Sequence, residues 1–169
     1  MAVVVRDATP DDAEAMGRLH VRAWQEAYRG SMPDAYLDSL DPAHRAQMWR
    51  DGMTRRRENP PLVASAAGHV VGHAACGPTN DPEGAGELYS INVDPTHWGS
   101  DAGRALLVEV ERRLAAHHDV AVLWVLPANA RARRFYERAG WAVDGAERTA
   151  DVLGVSVPEI RYRKVLRER

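Results

Sequence analysis

The hydrophobic positions of this chain change period several times, and each change marks an element. Residues 2–6 (AVVVR) read as a first strand. Thr9-Pro10-Asp11-Asp12 then supplies a helix start, with a Thr cap, Pro at the first helical position and acids in the first turn. Ala13, Met16, Leu19, His20, Ala23 and Trp24 form one face of that helix, which should end near Tyr28-Arg29-Gly30. Residues 33–57 predict one or two further helices, with Tyr36, Leu37, Leu40, Met48 and Trp49 inward and Arg55-Arg56-Arg57-Glu58 as a solvated end. Leu62–Ala66 and Val70–Ala75 read as strands joined at Ala67-Gly68-His69. Residues 77–84 have the composition of a loop.

The stretch from Glu87 to Leu107 organises the rest. Leu88 to Val93 alternates as a strand does, and Asp94-Pro95 ends it. A turn rich in Gly and Ser follows, and from Gly103 the residues Leu106, Leu107, Val110 and Leu114 fall at helical spacing. A strand passing through such a turn into a helix aims free N–H groups and the positive end of a helix dipole at one point, which suits phosphate. Val120–Val125 (VAVLWV) reads as a strand covered on both faces, and Asn129–Ala139 as a short basic helix stopped by Gly140. Strands follow from Trp141 and over Val155–Val165. The order β, helices, β, β, β, α, β, α, β, β predicts one α+β domain over residues 1–169, an α/β/α sandwich on a mixed, mostly antiparallel sheet of about seven strands. Its centre would be the strands at 87–93 and 120–125, joined by a right-handed crossover.

Composition narrows the classes. At 169 residues and 45% hydrophobic, the chain can fill one core but not two ordinary ones. Lys+Arg 22 against Asp+Glu 24 leaves a net charge of −2, so no basic field argues for nucleic acid. The single cysteine, Cys76, suits a reducing cytoplasm and reads as a buried small residue. No signal peptide or membrane span is expected, which places the protein in the cytoplasm. His69 and His73 lie on a strand pattern and should not share a metal face, and there is no CxxC, HExxH, P-loop or GxSxG motif. No metal is expected.

Two segments, ELYSINVDPTHWGSDAGRALL and VLPANARARRFYERAGW, in that order with a strand between them, resemble the GNAT superfamily of N-acetyltransferases over nearly the whole chain. The resemblance implies a V-shaped opening between the strands at 87–93 and 120–125 that holds acetyl-CoA. The pantetheine arm would pair with Ile91, Asn92 and Val93, and the pyrophosphate would rest on Trp98, Gly99, Ser100, Asp101, Ala102, Gly103 and Arg104. Asn129, Ala132, Phe135 and Tyr136 would complete the cofactor side. The family's turn usually has Arg or Gln where this chain has Trp98, and Gly where it has Asp101. Trp98 is a mild change in a turn that works through its backbone. Asp101 adds a Cβ and a charge of the wrong sign, so it either weakens the cofactor or caps the helix with its carboxylate in water.

Transfer from a thioester to an amine needs a proton removed, a carbonyl oxygen polarised and a thiolate protonated. Tyr136 stands where the family's donor to sulfur stands, and its reference pKa of about 10 suits the task. The Val93 N–H would polarise the carbonyl, and Glu87 is the candidate base, directly or through a water. Trp24, Tyr28 and Tyr36 are candidates for an acceptor wall, with Arg29, Met32 and the loop at Asp151–Val155 nearby. Helical spacing equally allows these aromatics to be core. The expected function is direct acetyl transfer to a small-molecule amine. Protein or peptide amines, or a non-catalytic acyl-CoA-binding module, are the alternatives. No nucleic acid or membrane partner is implied, and the resemblance leaves room for a homodimer.

Overall fold

The computed structural model describes residues 2–152 and 154–167. Strands β1 (Val3–Asp7), β2 (Leu62–Ala66), β3 (His69–Asn80), β4 (Glu83–Val93), β5 (Val120–Val125), β6 (Ala142–Val152) and β7 (Val155–Val165) form one sheet in the order β1-β2-β3-β4-β5-β7-β6. Helices α1 (Ala13–Tyr28), α2 (Asp34–Asp38), α3 (Pro42–Arg55), α4 (Ala102–Ala115) and α5 (Ala130–Arg138) complete an α+β fold in the predicted order. The chain folds as two compact units, Met1–Cys76 with Ser90–Arg112, and Gly77–Tyr89 with Arg113–Arg169. No helix among the described residues is long and apolar enough to cross a membrane.

In the first unit, Asp12 closes the capping box ahead of α1 by accepting from the Thr9 N–H at 2.8 Å. It also takes both arms of Arg6, at 2.8 and 2.9 Å, and this pairing holds the Asp12 carboxyl below its usual range. Ala13, Met16, Met53, Ala8 and Val63 form a buried cluster, with Trp49 and Val70 against it. The two faces of the sheet are told apart at β3. A Cβ on Gly72 would stand 2.9 Å from Leu106 of α4, so Gly72 faces α4. The next residue, His73, points the other way, 6.0 Å from the His20 ring of α1 and 4.8 Å from Trp49 of α3.

In the second unit, β4 runs parallel to β5 through Gly86–Ala121, Glu87–Val122 and Leu88–Leu123, while β5–β7 and β6–β7 are antiparallel. Two expectations need correction. Residues 77–84 are not a loop: β3 continues to Asn80 and β4 begins at Glu83, leaving Asp81-Pro82 as the turn. The glycine there answers a packing need, since a Cβ on Gly77 would lie 2.7 Å from the Tyr89 hydroxyl, which donates to the Pro78 carbonyl. Met48 does not face inward; it is 43% exposed. The inward line of α3 is Arg45, Ala46, Trp49 and Met53, at steps of three and four, and Met48 lies off it.

Candidate active site

The first unit carries the turn and the end of β4. The Asp94 N–H donates to the Val71 carbonyl at 2.8 Å, tying the last residues of β4 to β3. The Asp94 carboxylate accepts from the Thr96 N–H (3.0 Å) and hydroxyl (2.7 Å) and pairs with Arg22 at 2.9 Å. Burial alone would raise its pKa, but these donors and the Arg22 charge outweigh it, so Asp94 stays below the usual carboxylate range. Trp98 then donates its indole N–H to the Val93 carbonyl at 2.9 Å, locking the turn against the strand end. Asn92 is buried between them in sequence, with Ile91 and Val93 half-buried on either side.

Gly99 adopts φ +81°, which a side chain would strain, and the space where its Cβ would stand is open. The Ala102 N–H donates to Ser100 Oγ at 3.3 Å, and Ala105 is bonded to the Asp101 carbonyl at 2.8 Å. The amides of Gly103 and Arg104 belong to the first turn of α4, which has no helical carbonyl behind it to receive them. Free amides at a helix start are backbone groups of the kind that can receive an anion. Asp101 does not point toward them as a buried charge: its side chain is 77% exposed, with Arg104 Nε at 3.6 Å. The helix-start position with an outward carboxylate is what the structure shows.

The second unit carries α5. Asn129 caps it, Oδ1 accepting from the Ala132 N–H at 3.1 Å, which leaves the Nδ2 donors for another group. Arg133 donates to the Pro127 carbonyl and to the Tyr162 hydroxyl, both at 3.1 Å, and Tyr162 donates on to Glu137 at 2.8 Å. Burial pushes the Tyr162 phenol up, so it keeps the proton it donates. Lys164 Nζ caps the C-terminal end through the Ala139 carbonyl at 2.6 Å. Tyr136 is thereby fixed, 7% exposed, with its ring 5.3 Å from Phe135, 6.4 Å from Trp141 and 6.2 Å from Tyr162.

Register places Tyr136 and Glu87 on different sides of the sheet of this unit. Paired residues of neighbouring strands share a face, and successive residues alternate. Leu88, Leu123 and Tyr162 therefore share the face on which Tyr136 packs. Glu87, Val122 and Arg163 share the opposite one, together with Trp124 and Arg161. On that second face Trp124 is bracketed by guanidinium groups, Arg148 at 4.1 Å and Arg161 at 5.5 Å from its ring centre. These are in turn held by Glu159 and Asp144, each at 2.7 Å.

Of the candidate acceptor residues, Trp24 and Tyr28 meet edge to face at 5.1 Å on α1. Arg29 beyond them binds Asp34 (3.3 Å) and Asp38 (2.9 Å), closing the α1–α2 turn in which Met32 is buried. Tyr36, on α2, has a buried hydroxyl with no hydrogen-bond partner among the described residues. Of the loop at residues 151–155, Leu153 lies outside the described residues; Asp151 accepts from the Gly154 N–H at 2.7 Å. Sequence reasoning placed His20 on the packed face of the first helix but missed that His73 and Arg45 join it as a buried polar group in the first unit. Only the apolar periodicity around His20 hinted at it.

Residues 21–141 match the Acetyltransferase (GNAT) family. The chain belongs to that family. Membership sets the reaction class of this GNAT protein as N-acetyl transfer with acetyl-CoA as donor. An uncharacterized N-acetyltransferase of Bacillus subtilis, YuaI, is 31% identical over 130 residues, 75% of this chain and 73% of the relative. Another uncharacterized N-acetyltransferase, from Archaeoglobus fulgidus, is 33% identical over 138 residues, 78% and 88% of the two chains. In fold the GNAT chain is similar to the paiA N-acetyltransferase of Thermoplasma acidophilum, solved in complex with coenzyme A. The TM-score is 0.79 over 98% of this chain and 99% of that one, at 19% identity.

The outward Asp101 makes its effect on a diphosphate small. Asp101→Gly should tighten acetyl-CoA binding by no more than about fivefold, because exposed charges interact weakly. Calorimetric titration of both proteins checks this, and an equal or weaker affinity in the variant removes any role for repulsion.

Proposed function

We propose that residues 1–169 form a single cytoplasmic acetyltransferase domain that moves an acetyl group directly from acetyl-CoA to the amine of a small molecule. The observation that carries the direct route is the placement of Tyr136 and Glu87 on opposite faces of one sheet. A thioester held at a sheet opening would then have a proton acceptor on the amine side and a proton donor on the thiol side.

Acetyl-CoA supplies an activated acyl group with a thiolate leaving group. Ile91, Asn92 and Val93 would hold its arm, the Val93 N–H would polarise the carbonyl oxygen, and the turn from Trp98 to Arg104 would hold its diphosphate through amides such as those of Gly103 and Arg104, since the amides of Trp98, Ser100 and Ala102 are bonded within the turn. What supports that role is the open space at Gly99 and the side chains of Ser100 and Asp101, which turn to the helix start and to solvent. In the second unit, Asn129 Nδ2, Ala132 and Phe135 are the proposed cofactor contacts of α5. Glu87 takes the proton from the attacking ammonium, and the Tyr136 hydroxyl gives one to the departing sulfur. No residue pairing in the described chain marks an activated nucleophile, so a covalent acetyl-enzyme is not required.

The test begins with calorimetric titration of acetyl-CoA, with ATP as a control for generic phosphate binding. Release of free thiol over a panel of amines follows. Tyr136→Phe should lower kcat by about 100-fold or more while acetyl-CoA affinity stays the same. Glu87→Gln should lose most at low pH, where the amine is protonated and needs a base. Acetyl-CoA binding without turnover of any amine would identify a non-catalytic binding module instead.

A further inference from the structure

Arg45 sits in the first turn of α3 and is only 7% exposed. Its Nη2 has no hydrogen-bond partner, its Nη1 meets only the Met48 sulfur at 4.0 Å, and no carboxylate lies within ion-pair distance among the described residues. The buried acids of the same unit are treated differently: Asp12 has both arms of Arg6, and Asp94 has Arg22 and Thr96. A cation withdrawn from water without a counter-charge is costly, so a sequence that keeps one is expected to use it.

The surroundings say for what. The guanidinium carbon lies 5.7 Å from the centre of Trp24, which also carries the His20 ring stacked at 5.1 Å and the edge of Tyr28 at 5.1 Å. Both nitrogens of His20 are buried and without partners among the described residues, so its ring can give one N–H to an oxyanion without adding charge. A planar fork beside an aromatic surface is the arrangement that receives a carboxylate or similar oxyanion two-handed. The anion is not the donor's diphosphate. His20 and Arg45 stand on the His73 face of the sheet, whereas Gly72 and Leu106 place α4, with its free first-turn amides, on the other.

We propose that Arg45 and His20 receive an anionic group on the acceptor, so that the amine acetylated by this protein also carries a carboxylate or an equivalent oxyanion. This assignment rests on the acetyl-transfer reading above. It makes Trp24 and Tyr28 the wall along which the acceptor lies, and it disfavours polyamines, whose further charges would meet Arg45.

The test compares the common α-amino acids, β-alanine and 2-aminoethylphosphonate with the amines left when the acidic group is removed, and with spermidine. Thiol release gives kcat and KM for each in the intact protein and in Arg45→Gln. Thermal shift with coenzyme A bound gives their binding without need of turnover. The expected result is a preference for one or more anionic amines over their neutral-chain counterparts. Arg45→Gln should raise KM for them about 10- to 100-fold. Acetyl-CoA affinity should not change, and added guanidinium should restore part of the loss. Equal use of amines with and without the acidic group, or an Arg45→Gln effect shared by all acceptors, overturns the assignment and leaves acetyl transfer standing. Protection by no anionic amine in either protein also overturns it. Failure of acetyl-CoA to bind at all would instead remove the reading of the reaction.

Discussion

Taking this protein from pH 7 to pH 4.5 should cost about 5 kcal/mol of folding stability through two histidines. His20 and His73 are 7% and 0% exposed, and among the described residues no well-formed hydrogen bond reaches a ring nitrogen of either, the Met16 carbonyl near His73 being a weak acceptor at most. Burial is the main cause that takes His20 down to about 2, with the charges of His73 and Arg45 adding to it. Burial also takes His73 down to about 3, against a smaller opposing effect of the Met16 backbone. The sign follows from the direction. A folded pKa below the unfolded value of about 6.5 means that the unfolded chain binds protons first as pH falls. Stability is complete above about 6.5 and declines below it by about 1.4 kcal/mol per pH unit per ring. By pH 4.5 each ring has cost about 2.5 kcal/mol. Asp12 and Asp94 act in a separate window, since their stabilising pairs are lost only below the ordinary carboxylate value of 3.8.

Urea unfolding at pH 7, 6, 5 and 4.5 would measure that slope. His73→Leu should roughly halve it, because one of the two rings no longer titrates. Loss of less than about 1 kcal/mol across the range would mean that both rings find partners when protonated. Trp49, Trp24 and Met16 surround the pair, and Arg45 is the charged neighbour. None of these offers a negative charge, so among the described residues no counter-ion relieves the protonated rings.

Local motifs carried most of what the sequence revealed. The turn after β4, the Asn129 cap and the position of Tyr136 on α5 are each set within a few residues, so short patterns expose them. Strand boundaries at Leu62–Ala66, Val120–Val125 and Val155–Val165 were readable for the same reason. The errors arose where distant packing overrides local composition. Gly77 and Pro78 look like a loop until Tyr89 is seen over them. Nothing local singles out Arg45, because Trp24 and His20 lie about twenty positions away in sequence. His73 was read only against His69, whereas its real neighbours are His20 and Trp49. That Glu87 and Tyr136 take opposite faces needs the register of three strands, which no single segment contains.

Gly17→Ala should destabilise the fold by about 2–3 kcal/mol, even though alanine is the better helix former by about 1 kcal/mol. Gly17 lies on α1 where that helix crosses α3. A Cβ there would stand 2.5 Å from the Pro42 carbonyl oxygen, 2.8 Å from the Ala46 nitrogen and 3.1 Å from the Ala46 Cα. All three are backbone atoms, so no rotamer change can make room. The helices must part, loosening the cluster of Ala13, Met16 and Met53 beside the crossing. For a chain of 169 residues, a loss of this size lowers Tm by about 5–10 °C. Gly52 provides the control. It lies on α3 with nothing within 4 Å of a built Cβ, so Gly52→Ala should gain about 0.5–1 kcal/mol from helix propensity alone. Thermal melts of the two variants should therefore move in opposite directions, and melts moving together would show that the close crossing is not what requires glycine. The same crossing sets the distance between Trp24 on α1 and Arg45 on α3. On the proposed acceptor site, a Gly17→Ala protein that still folds should accordingly lose affinity for its acceptor while keeping that for acetyl-CoA, whose proposed site at the start of α4 lies on the opposite face of the sheet.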